Sequence, residues 1–172
     1  MLELIAQVVW FIIPAYIANS AAVDVSVLPV LRNFSQPIDA GRKWGGRRLL
    51  GDGKTWRGLI AGTIAAALAG GIQAFIKPAV REAVNIPLHD MSLVLGGFLG
   101  LGAMVGDISA SFLKRRMNFP RGKSAPLLDQ LDFILGAFLF ASIIVRVDVY
   151  FVLTASMITI PVHLFANSIA WI

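Results

Sequence analysis

The sequence predicts an all-α integral membrane protein: five transmembrane helices in a single membrane domain, residues 1–172, with a polar cavity open to the cytoplasm. Three observations carry this prediction. Of the 172 residues, 57% are hydrophobic and only 15% are charged, against about 25% charged in an ordinary soluble domain. The mean hydropathy is +0.76. Most of the basic residues fall in two connections between charge-poor runs, and such a run crosses a bilayer with about 20 residues. Together these exclude a soluble globular enzyme and a disordered chain. The absence of cysteine excludes a disulfide framework, a zinc–thiolate centre and a thiol nucleophile.

Each helix has its own warrant. Residues 4–23 carry no charge and predict a first helix over about 3–22. Glu3 stands where a cleaved signal peptide would have a basic segment, and the apolar run is too long for such a peptide, so the helix is expected to be retained. Trp10 falls mid-helix and reads as packing. Trp44 and Trp56 flank the polar connection 24–56 and read, with Trp171, as interface anchors. Residues 58–76 are free of charge and predict the second helix, about 57–77. The third, about 91–113, is charge-free to Gly106 and continues its apolar pattern past Asp107. Residues 133–145 are charge-free but short. They reach spanning length only if the fourth helix covers about 127–147, which draws Asp129 and Asp132 into it. Residues 149–172 carry no charge and predict the fifth helix, about 149–171. Small residues at a spacing of four (Gly96/Gly100 and Gly102/Gly106 in helix 3; Gly62/Ala66/Gly70 and Ala61/Ala65/Ala69 in helix 2) predict close packing of helices within the chain.

The net charge of +5 points to nucleic acid, a membrane surface or an anionic substrate, and placement decides. Connection 24–57 holds seven Lys and Arg (Arg32, Arg42, Lys43, Arg47, Arg48, Lys54, Arg57) and connection 113–130 holds five (Lys114, Arg115, Arg116, Arg121, Lys123). Only Lys77, Arg81 and Arg146 lie in the other two. Charges beside membrane spans fit a lipid surface and an anionic substrate, with no nucleic-acid partner. The positive-inside rule makes loops 24–56 and 114–126 cytoplasmic and puts the N-terminus outside.

Three acids stand where lipid is expected. Asp107, Ser111 and Lys114 share one face of helix 3, and Asp129 and Asp132 share one face of helix 4. A carboxylate at mid-bilayer costs about 2.5–3.5 kcal/mol. Two explanations are open: the acids pair with Lys114, Arg115 or Arg116 at the headgroups, or they form a site for a metal and a polyphosphate. Oxygen donors alone suit Mg²⁺. His89 and His163 read as packing or exposed residues rather than ligands. The loop GGRRLLGDGKTWRG (45–58) combines glycines that permit positive φ, a Lys–Thr pair and flanking arginines, and it runs into the positive end of helix 2. Lys54 can act as a point charge on phosphate, and Arg42, Arg47, Arg48 and Arg57 as forks. It is not a Walker A loop, because Arg48 stands where that pattern needs Gly. The alternative is a basic loop that contacts headgroups.

The segments IPAYIANSAAV (13–23), PIDAGRKWGGRRLLGDGKTWRG (37–58), GDISASFLKRR (106–116) and DQLDFILGA (129–137) resemble the CDP-archaeol synthase family, within the phosphatidate cytidylyltransferase superfamily. The match runs in order over nearly the whole chain. RMNFPRGKSAPLL (116–128) departs from the bacterial signature. The resemblance implies a Mg²⁺-dependent reaction of CTP with the membrane lipid phosphate 2,3-bis-O-geranylgeranyl-sn-glycerol 1-phosphate, giving a CDP-activated ether lipid and pyrophosphate. On that basis Asp129 and Asp132, with Asp107, are expected to hold Mg²⁺. Lys43, Arg47, Gly51, Asp52, Gly53, Lys54, Thr55 and Arg57 are expected around the triphosphate. Lys114 and Arg115 are expected on the lipid phosphate or pyrophosphate, and Ser111 as a hydrogen-bonding orienter. Three alternatives are the same chemistry on a diacyl phosphatidate, a CTP-dependent polyprenol kinase, and a non-enzymatic anion transporter.

Overall fold

The computed structural model describes residues 1–28, 34–120, 123, 125 and 127–169, with side chains in the last helix only as far as Val162. Arg32, Arg121 and Trp171 and the side chain of His163 lie outside the described residues. The described chain forms α1 (Leu2–Val27), a two-residue hairpin β1 (Lys43–Trp44) and β2 (Arg47–Arg48), α2 (Trp56–Val84), α3 (Leu93–Arg116), α4 (Leu128–Ala141) and α5 (Val149–Ile169). Three of the helices, α1, α2 and α3, are long and apolar enough to cross a membrane by themselves.

The helix ends follow local chemistry. Thr55 caps α2 through its hydroxyl, which accepts from Gly58 N at 3.3 Å, and Ser92 caps α3 by accepting from Leu95 N at 3.0 Å. Asn85 closes α2 in the left-handed region at φ 51°, where Asn is among the few non-glycine residues tolerated. The last turn of α3 carries Lys114, Arg115 and Arg116 against the negative end of the helix dipole.

Three helix ends differ from expectation. α1 does not stop near residue 22 but runs on past Asp24, which is exposed, to Val27. α2 does not stop at Lys77 but runs through Pro78 to Val84. Proline removes one ladder hydrogen bond, and a long apolar helix packed against neighbours tolerates that loss. α4 does not reach 147: it ends at Ala141 after 14 residues, about 21 Å against about 30 Å of hydrocarbon. Its continuation turns instead, with Ile143 N donating to Phe140 O at 3.2 Å and Ile144 N to Ala141 O at 2.9 Å. The turn delivers Arg146 and Asp148 to the end of the bundle that holds His89.

The glycine faces pack as expected. α3 is the central helix, packed most extensively on α4 and α2. One of its faces sets Gly96 and Gly100 against Gly62, Ala66 and Gly70 of α2, and the other sets Gly102 and Gly106 against Asp132, Gly136 and Ala137 of α4. Elsewhere in the core Phe11 stacks on Phe138 and Phe151 meets both rings edge-on, with the ring of His89 against Phe11 and Phe151. Burial among these rings lowers the His89 pKa. Trp10 is packed as expected, 7% exposed, and donates to His89 O at 3.1 Å.

Candidate functional site

From Phe34 on, the polar connection forms a loop closed at its base. Ile38 N donates to Lys54 O at 2.8 Å, Trp56 N donates to Gln36 O at 3.2 Å, and Pro37 bridges Thr55. Within it, β1 and β2 pair antiparallel with Trp44 opposite Arg47. Gly45 and Gly46 form the turn at φ 60° and 77°, the paired positive φ values that a tight hairpin turn requires.

Asp39 organises the loop, and the sequence reading missed it. Its buried carboxylate accepts from Arg48 Nη2 at 2.8 Å and Arg48 Nε at 3.2 Å, and from the backbone N–H groups of Gly41 (3.1 Å), Leu50 (3.0 Å) and Gly51 (3.3 Å). Asp followed two residues later by Gly is a turn signature; its partners up to twelve residues on leave no local trace. The Arg48 guanidinium and these amides hold the Asp39 carboxyl well below the usual carboxylate range. A depressed pKa stabilises the loop at every pH above the unfolded value, about 4, and that contribution is lost only as pH falls through the folded value. Hydrogen exchange of the Leu50 and Gly51 amides, corrected for intrinsic rate, is therefore expected to stay constant from pH 7 down to about 4. Asp39→Asn is expected to speed it about tenfold at neutral pH. Constant exchange in Asp39→Asn would contradict the role.

Other expected phosphate ligands are redistributed. Arg48 is held by Asp39 and, at 2.7 Å, by Asp52, so the expected phosphate contacts of Arg48 and Asp52 are taken up by this ion-pair network. The Gly51 N–H turns inward to Asp39, and the Thr55 hydroxyl oxygen serves the helix cap. Arg57 Nη2 donates to Ser26 O at 2.8 Å, tying α2 to the end of α1. Lys43 and Arg47 remain exposed on the hairpin.

Lys54 does reach the acids. Its Nζ lies 2.5 Å from Asp107 Oδ2, an ion pair that joins the loop to α3. Lys114 Nζ lies 2.6 Å from Asp129 Oδ1, and Asp129 Oδ2 accepts from Ala125 N at 2.9 Å. Asp132 lies within electrostatic range of Asp107, Asp129 and Lys54. The structure thus brings both basic connections to the same end of the bundle. Asp107 and Lys54 line a cleft of about 250 Å³ with Asn19, Ser26, Thr55 and Gly58, whereas Asp132 lines an apolar groove between α3 and α4 with Ser109 and Leu113. Ser111 is buried in α3, and Arg115 Nη1 donates to Phe119 O at 2.8 Å. Asn19, a polar residue within an apolar span, is the signal for α1's contribution.

Among the described residues no three acidic or histidine side chains form a ready-made metal cage. Magnesium does not need one: it keeps several waters and takes one or two carboxylates plus substrate phosphates. The all-oxygen donors Asp107, Asp129 and Asp132 fit that chemistry.

The family model described as CarS-like, CDP-archaeol synthase, matches residues 1–172. A CDP-archaeol synthase of Halobacterium salinarum is 44% identical over 170 residues, covering 95% of this chain and 90% of that protein. One from Pyrococcus horikoshii is 41% identical over 163 residues, covering 94% and 89%. A solved structure described as an intramembrane enzyme for archaeal membrane lipid biosynthesis superposes with a TM-score of 0.74 at 36% identity, covering 95% of this chain and 94% of that one.

Proposed function

Because the chain belongs to the CDP-archaeol synthase family and is a membrane-embedded cytidylyltransferase, we propose that it transfers CMP from CTP to the phosphate of 2,3-bis-O-geranylgeranyl-sn-glycerol 1-phosphate, with release of pyrophosphate. The observation that carries this reading is the Lys54–Asp107 pair: it joins a basic loop to an acid-bearing membrane helix, the two halves that a reaction between a soluble nucleotide and a lipid anion needs. In this reading all five helices lie in the bilayer of the cell membrane, with the N-terminus outside. The cleft faces the cytoplasm, where CTP is found, since twelve of the fifteen Lys and Arg flank that end.

The lipid phosphate oxygen attacks the α-phosphorus of CTP; the new P–O bond forms as the bond to the β-phosphate bridging oxygen breaks. A phosphate monoester has a second pKa near about 6 and is mostly dianionic at neutral pH, so no strong base is required. The difficulty is to bring two anions together, and positioning and charge neutralisation supply most of the catalysis. Lys54, with the exposed hairpin cations Lys43 and Arg47, holds the triphosphate, while Lys114 and Arg115 hold the lipid phosphate or the departing pyrophosphate. Asp129 and Asp132, with Asp107, would hold Mg²⁺. When bound, the ion neutralises phosphate oxygens and so lowers the repulsion between the reactants.

Purified protein incubated with labelled CTP, magnesium and candidate lipid phosphates tests the proposal. The expected result is label in lipid with one pyrophosphate per turnover, preferring the ether lipid. Preference for the diacyl ester would move the substrate to phosphatidate. Release of CDP would make it a kinase, and anion flux without turnover a transporter. In the same assay Lys54→Ala is expected to raise the CTP KM about tenfold or more with the lipid KM changed less than about threefold; equal effects on both would contradict the assignment of Lys54.

A further inference from the structure

Among the described residues, Arg116 supplies the side-chain hydrogen bonds that tie the hairpin carrying Lys43 and Arg47 to α3. Arg116, in the last turn of α3, donates from Nη1 to Trp44 O at 2.7 Å and from Nη2 to Arg48 O at 2.9 Å. Its guanidinium lies 5.5 Å from the Trp44 ring and 5.4 Å from the Phe112 ring, and the two rings lie 6.2 Å apart at 31°. The fork therefore grips one backbone carbonyl on each strand while its planar faces lie against aromatics from both the hairpin and α3. Planar delocalised charge with two parallel donors suits this task, and a lysine ammonium does not reproduce it. Among the described residues the ion pairs of this region use Lys54 with Asp107 and Lys114 with Asp129, not Arg116.

We propose that Arg116 is a positioning residue for the nucleotide: by clamping Trp44 and Arg48 it fixes the hairpin cations Lys43 and Arg47 over the end of α3 that carries Asp107 and Lys114. The clamp rests on the reading of the loop as the triphosphate holder. It adds that the affinity of the loop for nucleotide is set by a residue on another element. The three consecutive basic residues of α3 then divide their work: Lys114 faces Asp129, Arg115 ties down Phe119 O, and Arg116 reaches across to the hairpin.

The test compares full-length wild type with Arg116→Lys, Arg116→Ala, Trp44→Ala and Trp44→Phe, in turnover, thermal stability and tryptic cleavage at residues 42–48. For Arg116→Lys and Arg116→Ala the CTP KM is expected to rise about tenfold or more. Lipid KM and melting temperature should stay near wild type, and cleavage at 42–48 should speed several-fold. Trp44→Ala should show the same pattern more weakly, and Trp44→Phe, which keeps a ring and the same carbonyl, should restore wild-type behaviour. Unchanged CTP KM and cleavage in Arg116→Ala would overturn the proposal. So would a lowered melting temperature with faster cleavage throughout the chain, the signature of a merely structural contact. If the wild type itself fails to turn over CTP, the functional reading falls, and the cleavage comparison alone decides whether Arg116 docks the hairpin.

Discussion

Asp132→Asn is expected to lower turnover about 100-fold or more while the protein still inserts and melts as wild type does. The substitution keeps shape and removes only charge. That matters because Asp132 has two separate roles. Its backbone carbonyl packs against Gly106 in the α3–α4 seam, which Asn leaves intact. Its carboxylate lies within electrostatic range of Asp107, Asp129 and Lys54, and in the proposed reaction it helps to hold the cation that neutralises the phosphates. Groups that act on charge at the reacting centre are typically worth two or more orders of magnitude in rate. The check is kcat alongside a thermal melt of the same preparation. Activity within a few-fold of wild type would remove Asp132 from the site. A collapsed melt would recast it as a structural residue.

Gly106→Ala is expected to cost about 2–3 kcal/mol of stability and most of the activity. A Cβ there would strike the Asp132 carbonyl oxygen and come within 2.9 Å of the carbonyl carbon, both backbone atoms of a packed helix. Backbone in a close-packed seam cannot give way as a flexible side chain can, and overpacking of this kind is costly. The two helices would have to separate, and they carry Asp107 on one side and Asp129 and Asp132 on the other, so geometry and stability fail together. Gly97→Ala is the internal control. Its new methyl would meet only the Ala67 side chain, at an ordinary 3.6 Å, and alanine is the better helix former. A melting temperature at or slightly above wild type is expected for Gly97→Ala and a clear drop for Gly106→Ala. Equal melts would contradict the seam as the element that sets the spacing of the acids.

Much of the fold was legible because a bilayer demands long charge-poor runs, and the starts of all five helices fall within about two residues of where those runs place them. The glycine spacings of α3 were legible for a related reason: in lipid, close approach needs small residues, and four-residue spacing gives each face its partner. The ends were less legible. Pro78 reads as a stop in isolation, yet α2 continues past it because packing and the apolar surroundings keep the helix together. The fourth helix was assigned 127–147 by requiring it to span, whereas the chain turns at 142–145. In the site, Asp107, Lys114, Asp129 and Asp132 announced themselves as charges beside or within apolar runs, and Lys54 as the cation of a glycine-rich loop. Asp39 and Arg116 did not, since what they do depends on carbonyls and amides that only folding brings to them. Gly45–Gly46 did carry a hairpin signal, two glycines between short β-compatible pairs, but four basic residues within 42–48 drew the reading towards anion binding.

In the proposed reaction the basic loop and the membrane acids act together on one metal–nucleotide complex. Calorimetric titration of CTP into purified wild type, Lys54→Ala and Asp132→Asn, each with and without magnesium, tests this. Magnesium-dependent CTP binding is expected in the wild type, weakened about tenfold or more by either substitution. CTP binding of equal strength in all three proteins, or binding indifferent to magnesium, would contradict it.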